Sequence, residues 1–570
     1  MRNTIFSIFI TVALFTQLKA QAPIYSSESV HHPQIAKNGM VATQHPLASA
    51  VGLDILKQGG NAVDAAVAVG FALAVVLPRA GNLGGGGFML IYENEKNEST
   101  AINYREKAPA ASVRNMYLDE SGAVDNEKFN HSYHSVGIPG TVAGLVHAQK
   151  KYGSLTLKTV MAPAIKLAEA GFAITYDLAA VLQKYEERLK RCDHTRNIFY
   201  KSDGFYQFED LLVQKDLAWS LRQIAAEGRD GFYSGELATR MVNDIQNNGG
   251  IMTMDDLKNY KVDEVEVVSG TYRGHTIQSM PPPSSGGVHV IQMLNILEHF
   301  PIDILGHNSA ATIHLMAEAM RLAYADRSEH LGDPIFWKVP TQGITSKAYA
   351  KSLAQKINIF SATNSVEVKP GPATDYESEE TTHFSVMDRD GNMVSNTYTL
   401  NFSFGSGLVA EGTGILLNNE MGDFSAKPGS ANAYGLIGGE ANAVQAGKRP
   451  LSSMTPVFLF DQGGEPMMAT GSPGGSRIIT TVLQIIMNVI DHKMNIAEAT
   501  HATRIHHQWY PDILYYDGFL SPDTQNILAS KGHKVKKRAA MGSTQTLMRS
   551  GDYILGSSDP RRPDGMTIGY

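Results

Sequence analysis

The chain has 570 residues, 43% of them hydrophobic and 18% charged, with a formal net charge of −7. That is ordinary globular composition with ample apolar material for a core, and the negative balance argues against a nucleic-acid or anionic-membrane partner. A single cysteine, Cys192, excludes an internal disulfide framework and a zinc site built from several cysteines, and is expected to be a small buried core residue.

The N-terminus carries a targeting pattern. Arg2 supplies a positive start, residues 5–15 are a short apolar run, and Leu18-Lys19-Ala20 offers a small residue for cleavage before Gln21. The run is too short to span a bilayer comfortably. Residues 1–20 are therefore expected to be a removed signal peptide. Losing Arg2 and Lys19 takes the net charge from −7 to −9. The mature protein is expected to be periplasmic or secreted, with no membrane span.

After a polar leader, Gly39–Thr43 reads as a short strand. Pro46 at a first helical position opens a helix to Gln58, stopped by Gly59-Gly60. Asn61 caps the next helix, residues 62–77, which is apolar on every side and hence buried despite Asp64. Residues 81–87 hold a glycine cluster. It lacks the Lys-Ser/Thr ending of a phosphate loop and precedes a strand, residues 88–92, so it is expected to be a tight turn where backbones pass closely. Residues 155–260 show helical patterns with charged surfaces. The segment 280–287, with Pro281, Pro282 and Pro283, is a rigid loop feeding the apolar run 288–300. Residues 309–331 form a long helix with Ile313, Met316, Met320 and Tyr324 on one stripe. Residues 361–380 turn polar and end in Glu377-Ser378-Glu379-Glu380, an exposed stretch where a chain can be opened without disturbing a core. No repeats or linkers appear. The segments 21–380 and 381–570 are expected to interleave in one domain.

Thr381 begins an alternating run, with Phe384 and Val386 on one side and His383 and Ser385 on the other. Asp390-Gly391 is a hairpin signal, and the return strand is expected over residues 393–404. A two-residue loop would set Thr381 opposite Leu400 and mix polar with apolar faces. A three-residue loop or a bulge sets it opposite Thr399 or Asn401 and keeps the faces consistent, so the odd loop is predicted. A threonine hydroxyl is a poor nucleophile alone. If the chain were cut before Thr381, the new α-amine, with a pKa near ~8, could accept the hydroxyl proton. Taken by itself, the run is better read as just a β-rich strand.

A collinear set of motifs changes that reading. Gly59 to Ala66, Tyr104 to Pro109, Pro281 to Gly287, Thr381 to Ser385, Thr397 to Asn401, Leu417 to Ser425, Arg449 to Met454, Gly471 to Ser476 and Ser558 to Arg561 together resemble the γ-glutamyltransferase (γ-glutamyltranspeptidase) family of N-terminal-nucleophile hydrolases, over nearly the whole mature chain. The resemblance implies an α/β fold, a four-layer αββα sandwich of two antiparallel sheets flanked by helices. It implies self-cleavage between Glu380 and Thr381, giving a heterodimer of the two fragments, with Thr381 as the nucleophile and Thr399 bonded to it. Arg105, with Ser452 and Ser453, is implied to clasp the α-carboxylate of a γ-glutamyl group; Asp423, with Asn401 and Glu420, to hold the α-ammonium. Gly474 and Gly475 are implied to offer backbone N–H groups to the oxyanion, and residues 428–439, with Tyr434, to form a lid hinged on Gly429, Gly435, Gly438 and Gly439. The physical fit is that a zwitterionic head needs one fixed cation and one fixed anion at opposite sides, and Arg105 and Asp423 supply them.

The implied substrates are glutathione and other γ-glutamyl compounds as donors, with water, amino acids or dipeptides as acceptors. A related glutaryl or cephalosporin acylase, or a non-catalytic secreted homologue, are the alternatives. The pairs His31-His32 and His506-His507, and His289, are not at metal-ligand spacing. His314 and Glu318 lie one helical turn apart without an evident third ligand. Neither a metal nor an organic cofactor is expected.

Overall fold

The computed structural model describes residues 29–368 and 381–570. The expected signal peptide and Glu380 lie outside them. Two seven-stranded sheets, antiparallel throughout, form the centre. One runs from edge to edge as Met566–Gly569, Gly39–Thr43, Thr382–Asp388, Met393–Thr399, Gly86–Glu93, Glu98–Tyr104 and Asp263–Val265. The other runs as Gln34–Ala36, Tyr553–Ser558, Gln545–Ser550, Pro466–Thr470, Val457–Phe460, His275–Ser279 and Val268–Tyr272. Both sheets mix strands from before and after residue 380. Helices Pro46–Lys57 and Ala62–Val76 pack on the outer side of the first sheet, and Gly286–Leu297, Ala310–His330 and Arg477–Ile490 on the outer side of the second. This is the expected αββα sandwich.

Local chemistry accounts for the elements. Pro46 opens its helix at the first position. Asn61 Oδ1 accepts from the N–H of Val63 and Asp64, and Asp64 Oδ2 accepts from the N–H of Asn61 at 2.8 Å, a reciprocal cap. Every residue of Ala62–Val76 is buried, Asp64 included, because Ser154, Leu155 and Gln149 also donate to its carboxylate. Cys192 is buried, as expected.

The hairpin register is Thr382 opposite Tyr398 through Met387 opposite Met393. Continued by one residue, it sets Thr381 opposite Thr399, with Arg389, Asp390 and Gly391 as the odd loop. The even-numbered face, with Phe384, Val386 and Tyr398, packs on the outer helices, and the Tyr398 hydroxyl donates to the Gly70 carbonyl at 2.9 Å. The odd-numbered face looks across to the other sheet. There Ser385 Oγ donates to the Gln545 carbonyl and Ser395 Oγ to that of Thr470, so its buried polar groups are paired. The return strand stops at Thr399, five residues before the expected end. Asn401 (φ 75°) and Phe404 (φ 60°) take left-handed conformations that turn the chain away.

The glycine cluster works through absent volume. A Cβ on Gly85 would lie 1.9 Å from the Thr399 carbonyl oxygen, and one on Gly84 2.1 Å from that of Leu416. The backbone passes directly behind Thr399, as a turn of close approach rather than a phosphate loop.

Candidate active site

Thr381 is 4% exposed, and its hydroxyl donates to Thr399 Oγ1 at 3.3 Å. Thr399 Oγ1 also accepts the Asn401 N–H at 2.9 Å. His383, two residues on, is not positioned as a base for Thr381. Its ring nitrogens are bonded to Thr397 and Ser385 hydroxyls, and burial depresses its pKa to about 3.

The charged half of the site comes from elsewhere. Arg105 follows the end of strand Glu98–Tyr104, where Asn103 Oδ1 accepts its N–H and the Tyr260 hydroxyl donates to its carbonyl. The Glu420–Asp423 turn brings two acids to it. Arg105 Nη1 pairs with Glu420, Nη2 with Asp423 at 2.5 Å, and Glu106 Oε2 lies 3.5 Å from Nη1. Cation and anions therefore touch, where the sequence reading set them on opposite sides: at 1% exposure a guanidinium must be neutralised at short range. Burial works against Arg105 ionising, but Glu420 and Asp423 outweigh it and hold its pKa above the ordinary value. For the two glutamates burial dominates. Glu106 is pushed up to about 7 against the opposing pull of Arg105, and Glu420 is driven well above the carboxylate range by burial, with Glu106 and Asp423 adding to it.

The proline loop is the ledge under the serines. Ser452 N–H donates to the Pro283 carbonyl at 2.8 Å, and both the N–H and hydroxyl of Ser285 donate to the Ser452 carbonyl. Arg327, on helix Ala310–His330, was not singled out by the sequence. Its Nη2 donates to Ser453 Oγ at 3.1 Å and its Nε to Ser285 Oγ at 2.9 Å, and burial lowers its pKa to about 10. Only its place one turn beyond Tyr324, the last residue of the apolar stripe read on that helix, could have signalled it.

Gly474 (φ 131°) and Gly475 (φ 55°) precede helix Arg477–Ile490 in conformations that L side chains rarely adopt. A Cβ on Gly475 would meet the Tyr434 ring at 2.6 Å. Tyr434 is 7% exposed, and its hydroxyl donates to Asn401, reaching the backbone carbonyl at 2.9 Å. Gln508, also not foreseen, donates to the Tyr434 carbonyl at 3.0 Å and accepts from Ser476 Oγ at 2.6 Å. Of the four expected hinge glycines, Gly429 and Gly435 have positive φ, whereas Gly438 and Gly439 give room to Ser425 and Ser328.

Thr381, Thr399, Arg105, Asn401, Glu420, Asp423, Tyr434, Ser452, Ser453 and Gly475 all line one small cavity of about 20 Å³; Gly474 is not among its lining residues. A cavity of about 780 Å³ abuts it, sharing Arg327, Asp423, Leu436 and Leu451, with Phe129 and His131 on its far wall.

Residues 48–569 match the gamma-glutamyltranspeptidase family model. The glutathione hydrolase proenzyme of Escherichia coli is 54% identical over 545 residues, covering 95% of this chain and 94% of its own. The crystal structure of cephalosporin acylase from Bacillus halodurans superposes with a TM-score of 0.84 at 29% identity, over 96% of this chain and 98% of that one. A chain of the Helicobacter pylori gamma-glutamyltranspeptidase crystal structure matches with a TM-score of 0.56 at 47% identity, over 57% of this chain and 94% of its own.

Proposed function

The chain belongs to the gamma-glutamyltranspeptidase family, and from that premise we propose that it is a self-cleaving γ-glutamyltransferase and glutathione hydrolase with Thr381 as its nucleophile. The observation that carries the reading is that the Thr381 hydroxyl and the Arg105–Glu420–Asp423 cluster line the same small cavity. A γ-glutamyl group has a zwitterionic head on a short stem. Its carboxylate takes Arg105, Ser452 and Ser453; its ammonium takes Asp423, Glu420 and Asn401. Each buried charge exchanges one partner for another and none is left unpaired.

Two steps follow. In the precursor, Thr381 Oγ attacks the Glu380 carbonyl carbon and the peptide C–N bond breaks, leaving an ester on Oγ and a free amine on Thr381. Water hydrolyses the ester and releases the fragment ending at Glu380. In the mature enzyme, the α-amine takes the Oγ proton as Oγ attacks the γ-carbonyl carbon. The developing oxyanion is met by the N–H groups of Gly474 and Gly475. The leaving amine departs with the proton, and the γ-glutamyl ester on Thr381 is passed to water or to the amine of an amino acid or dipeptide. Thr399 orients the hydroxyl throughout, and Tyr434 on Asn401 closes the cavity against solvent.

An acylase acting on glutaryl groups is disfavoured. A glutaryl head has no ammonium, so once its carboxylate engages Arg105 it brings no second cation to Glu420 and Asp423. The expected leader supports a periplasmic or secreted location, and among the described residues no helix is long and apolar enough to cross a membrane.

The test is mass spectrometry of the purified protein. A fragment beginning at Thr381, absent from Thr381→Ala, is expected, together with turnover of a γ-glutamyl anilide and none of a glutaryl anilide. An intact, inactive chain, or Thr381→Ala that is still processed, would overturn the reading.

A further inference from the structure

A second cluster of chemically capable side chains lies apart from Thr381, and no step above uses it. His314 and Glu318 sit one turn apart on helix Ala310–His330, each 1% exposed. The missing third partner is His533, 6% exposed, in the turn between helix Pro522–Ser530 and strand Val535–Lys537. One donor atom from each of the three lies within 4.8 Å of the other two. Sequence alone could not pair positions 219 residues apart.

The tautomers are informative. His314 Nε2 is 2.8 Å from the Asn358 carbonyl, which can only accept, so Nε2 carries the proton and Nδ1 offers a lone pair to the cluster. A ring whose outer N–H is fixed by a carbonyl is how metal-binding imidazoles are commonly held. His533 Nε2 stands 2.8 Å from that Nδ1. Glu318 Oε2 accepts the Thr363 N–H at 3.2 Å, and Oε1 lies 3.3 Å from both Nε and Nη2 of Arg321, long contacts for a buried ion pair. Arg321 is anchored in turn by Asp512 and Ser365.

We propose that His314, Glu318 and His533 form a divalent-cation site of the zinc class, joining the part of the chain before residue 380 to the part after it. Two imidazole nitrogens and one carboxylate oxygen are a three-ligand zinc set with a fourth position for water. In a tetrahedral shell of ~2.0–2.1 Å bonds the two nitrogens stand about 3.3 Å apart, so the rings separate by roughly half an ångström from their present contact. His533 moves its proton from Nε2 to Nδ1, and no net proton is released. The cation site stands on the cluster alone. Its consequence, a clip between two separate fragments, rests on the cleavage proposed above.

The full-length chain, stripped with a chelator and dialysed, is titrated with zinc chloride against a chromophoric competitor. One zinc per chain is expected. His314→Ala and His533→Ala should each weaken binding at least a hundredfold, while His194→Ala, in the partly exposed group of His194, Asp244 and Glu411, should leave it unchanged. His533→Gln, which keeps a polar group in the turn, guards against a folding defect and should lose binding equally. Uncleaved Thr381→Ala should still bind one zinc, which separates this test from the fate of the cleavage reading. In cleaved protein, zinc should raise the urea concentration at which the fragments separate, and His533→Gln should abolish that shift. Substoichiometric zinc, or wild-type affinity in His533→Ala or His533→Gln, would overturn the site. Stoichiometric zinc with no shift in the cleaved protein would overturn the clip.

Discussion

The two halves of the cavity around Thr381 are built by opposite means. The hairpin half is local: Thr381 and Thr399 meet because an odd loop closes seven-residue strands, and the alternation of side chains puts both hydroxyls on the face between the sheets. The charged half is not local. Arg105 and Glu420 are 315 residues apart, and Arg105 and Asp423 are 318 apart. The first half is stabilised by backbone pairing and packing on two buried faces, which tolerate no extra volume behind them. The second is stabilised by mutual neutralisation, which tolerates added space but not a lost partner.

The strongest way to break the hairpin half is therefore steric. A methyl at Gly85 would lie 1.9 Å from the Thr399 carbonyl, a main-chain atom that cannot rotate aside. Gly85→Ala is expected to yield protein that folds poorly and is not processed, with a loss above ~4 kcal/mol, since either backbone must shift. Soluble, fully processed Gly85→Ala would show that the turn has more room than its geometry allows.

In the charged half the corresponding insult is removal of the cation. Arg105→Met leaves Glu420 and Asp423 buried without their partner, a class of change that costs about 3–5 kcal/mol. It also removes the group assigned to the donor carboxylate, so kcat/KM for a γ-glutamyl anilide should fall by about 10³ or more. Arg105→Lys restores charge without the planar fork and should recover stability better than activity. Equal recovery of both would show that charge alone suffices.

What the sequence disclosed follows the same division. The hairpin register was derivable from face consistency, because a one-residue slip would bury Leu400 on the polar side. Asn61 and Pro46 announced their helices through side chains acting on their own neighbours. The strand end at Thr399 was not legible, since Asn401 is a residue type that tolerates positive φ without requiring it, and the flanking Leu400 and Phe402 continue the strand pattern. Arg105, Glu420 and Asp423 were reached through resemblance to a family and not by spacing, and even so the direct contact between cation and anions was missed. Arg327, Gln508 and His533 act only through partners brought by folding, which no window along the chain contains. The proline loop was legible as a loop, but its task, holding Ser452 through Pro283 and Ser285, is tertiary.

A milder test of the charged half uses pH. Glu106 has a folded pKa near 7 against an ordinary value of 4.5, raised chiefly by burial and opposed by Arg105. A carboxyl with a raised folded pKa binds more protons folded than unfolded between those values, so its contribution to stability is fullest below about 4.5 and is lost as pH rises through about 7. The loss is at most roughly 3 kcal/mol for such a shift. Glu106→Gln, neutral at every pH, should flatten the decline in Tm between those two values and leave the hairpin's processing intact. A pH slope unchanged in Glu106→Gln would assign the titration to Glu420 instead.

The smallest expected effect lies where the two halves meet, at Tyr434. Its hydroxyl reaches Asn401, two residues beyond Thr399 at the hairpin's end, while its ring fills the space that a side chain on Gly475 would need. Tyr434→Phe keeps the ring and so keeps the wall, losing only the hydroxyl's bonds to Asn401, a cost of about 1 kcal/mol. Folding and processing should be unchanged. The closed state of the cavity should be less populated, raising KM a few-fold and increasing the share of acyl-enzyme that goes to water. Tyr434→Ala removes the wall as well and should have the larger effect on both. If Tyr434→Phe proved as damaging as Tyr434→Ala, the hydroxyl and not the ring would be what closes the site, and Asn401 would belong with the charged half instead of the hairpin.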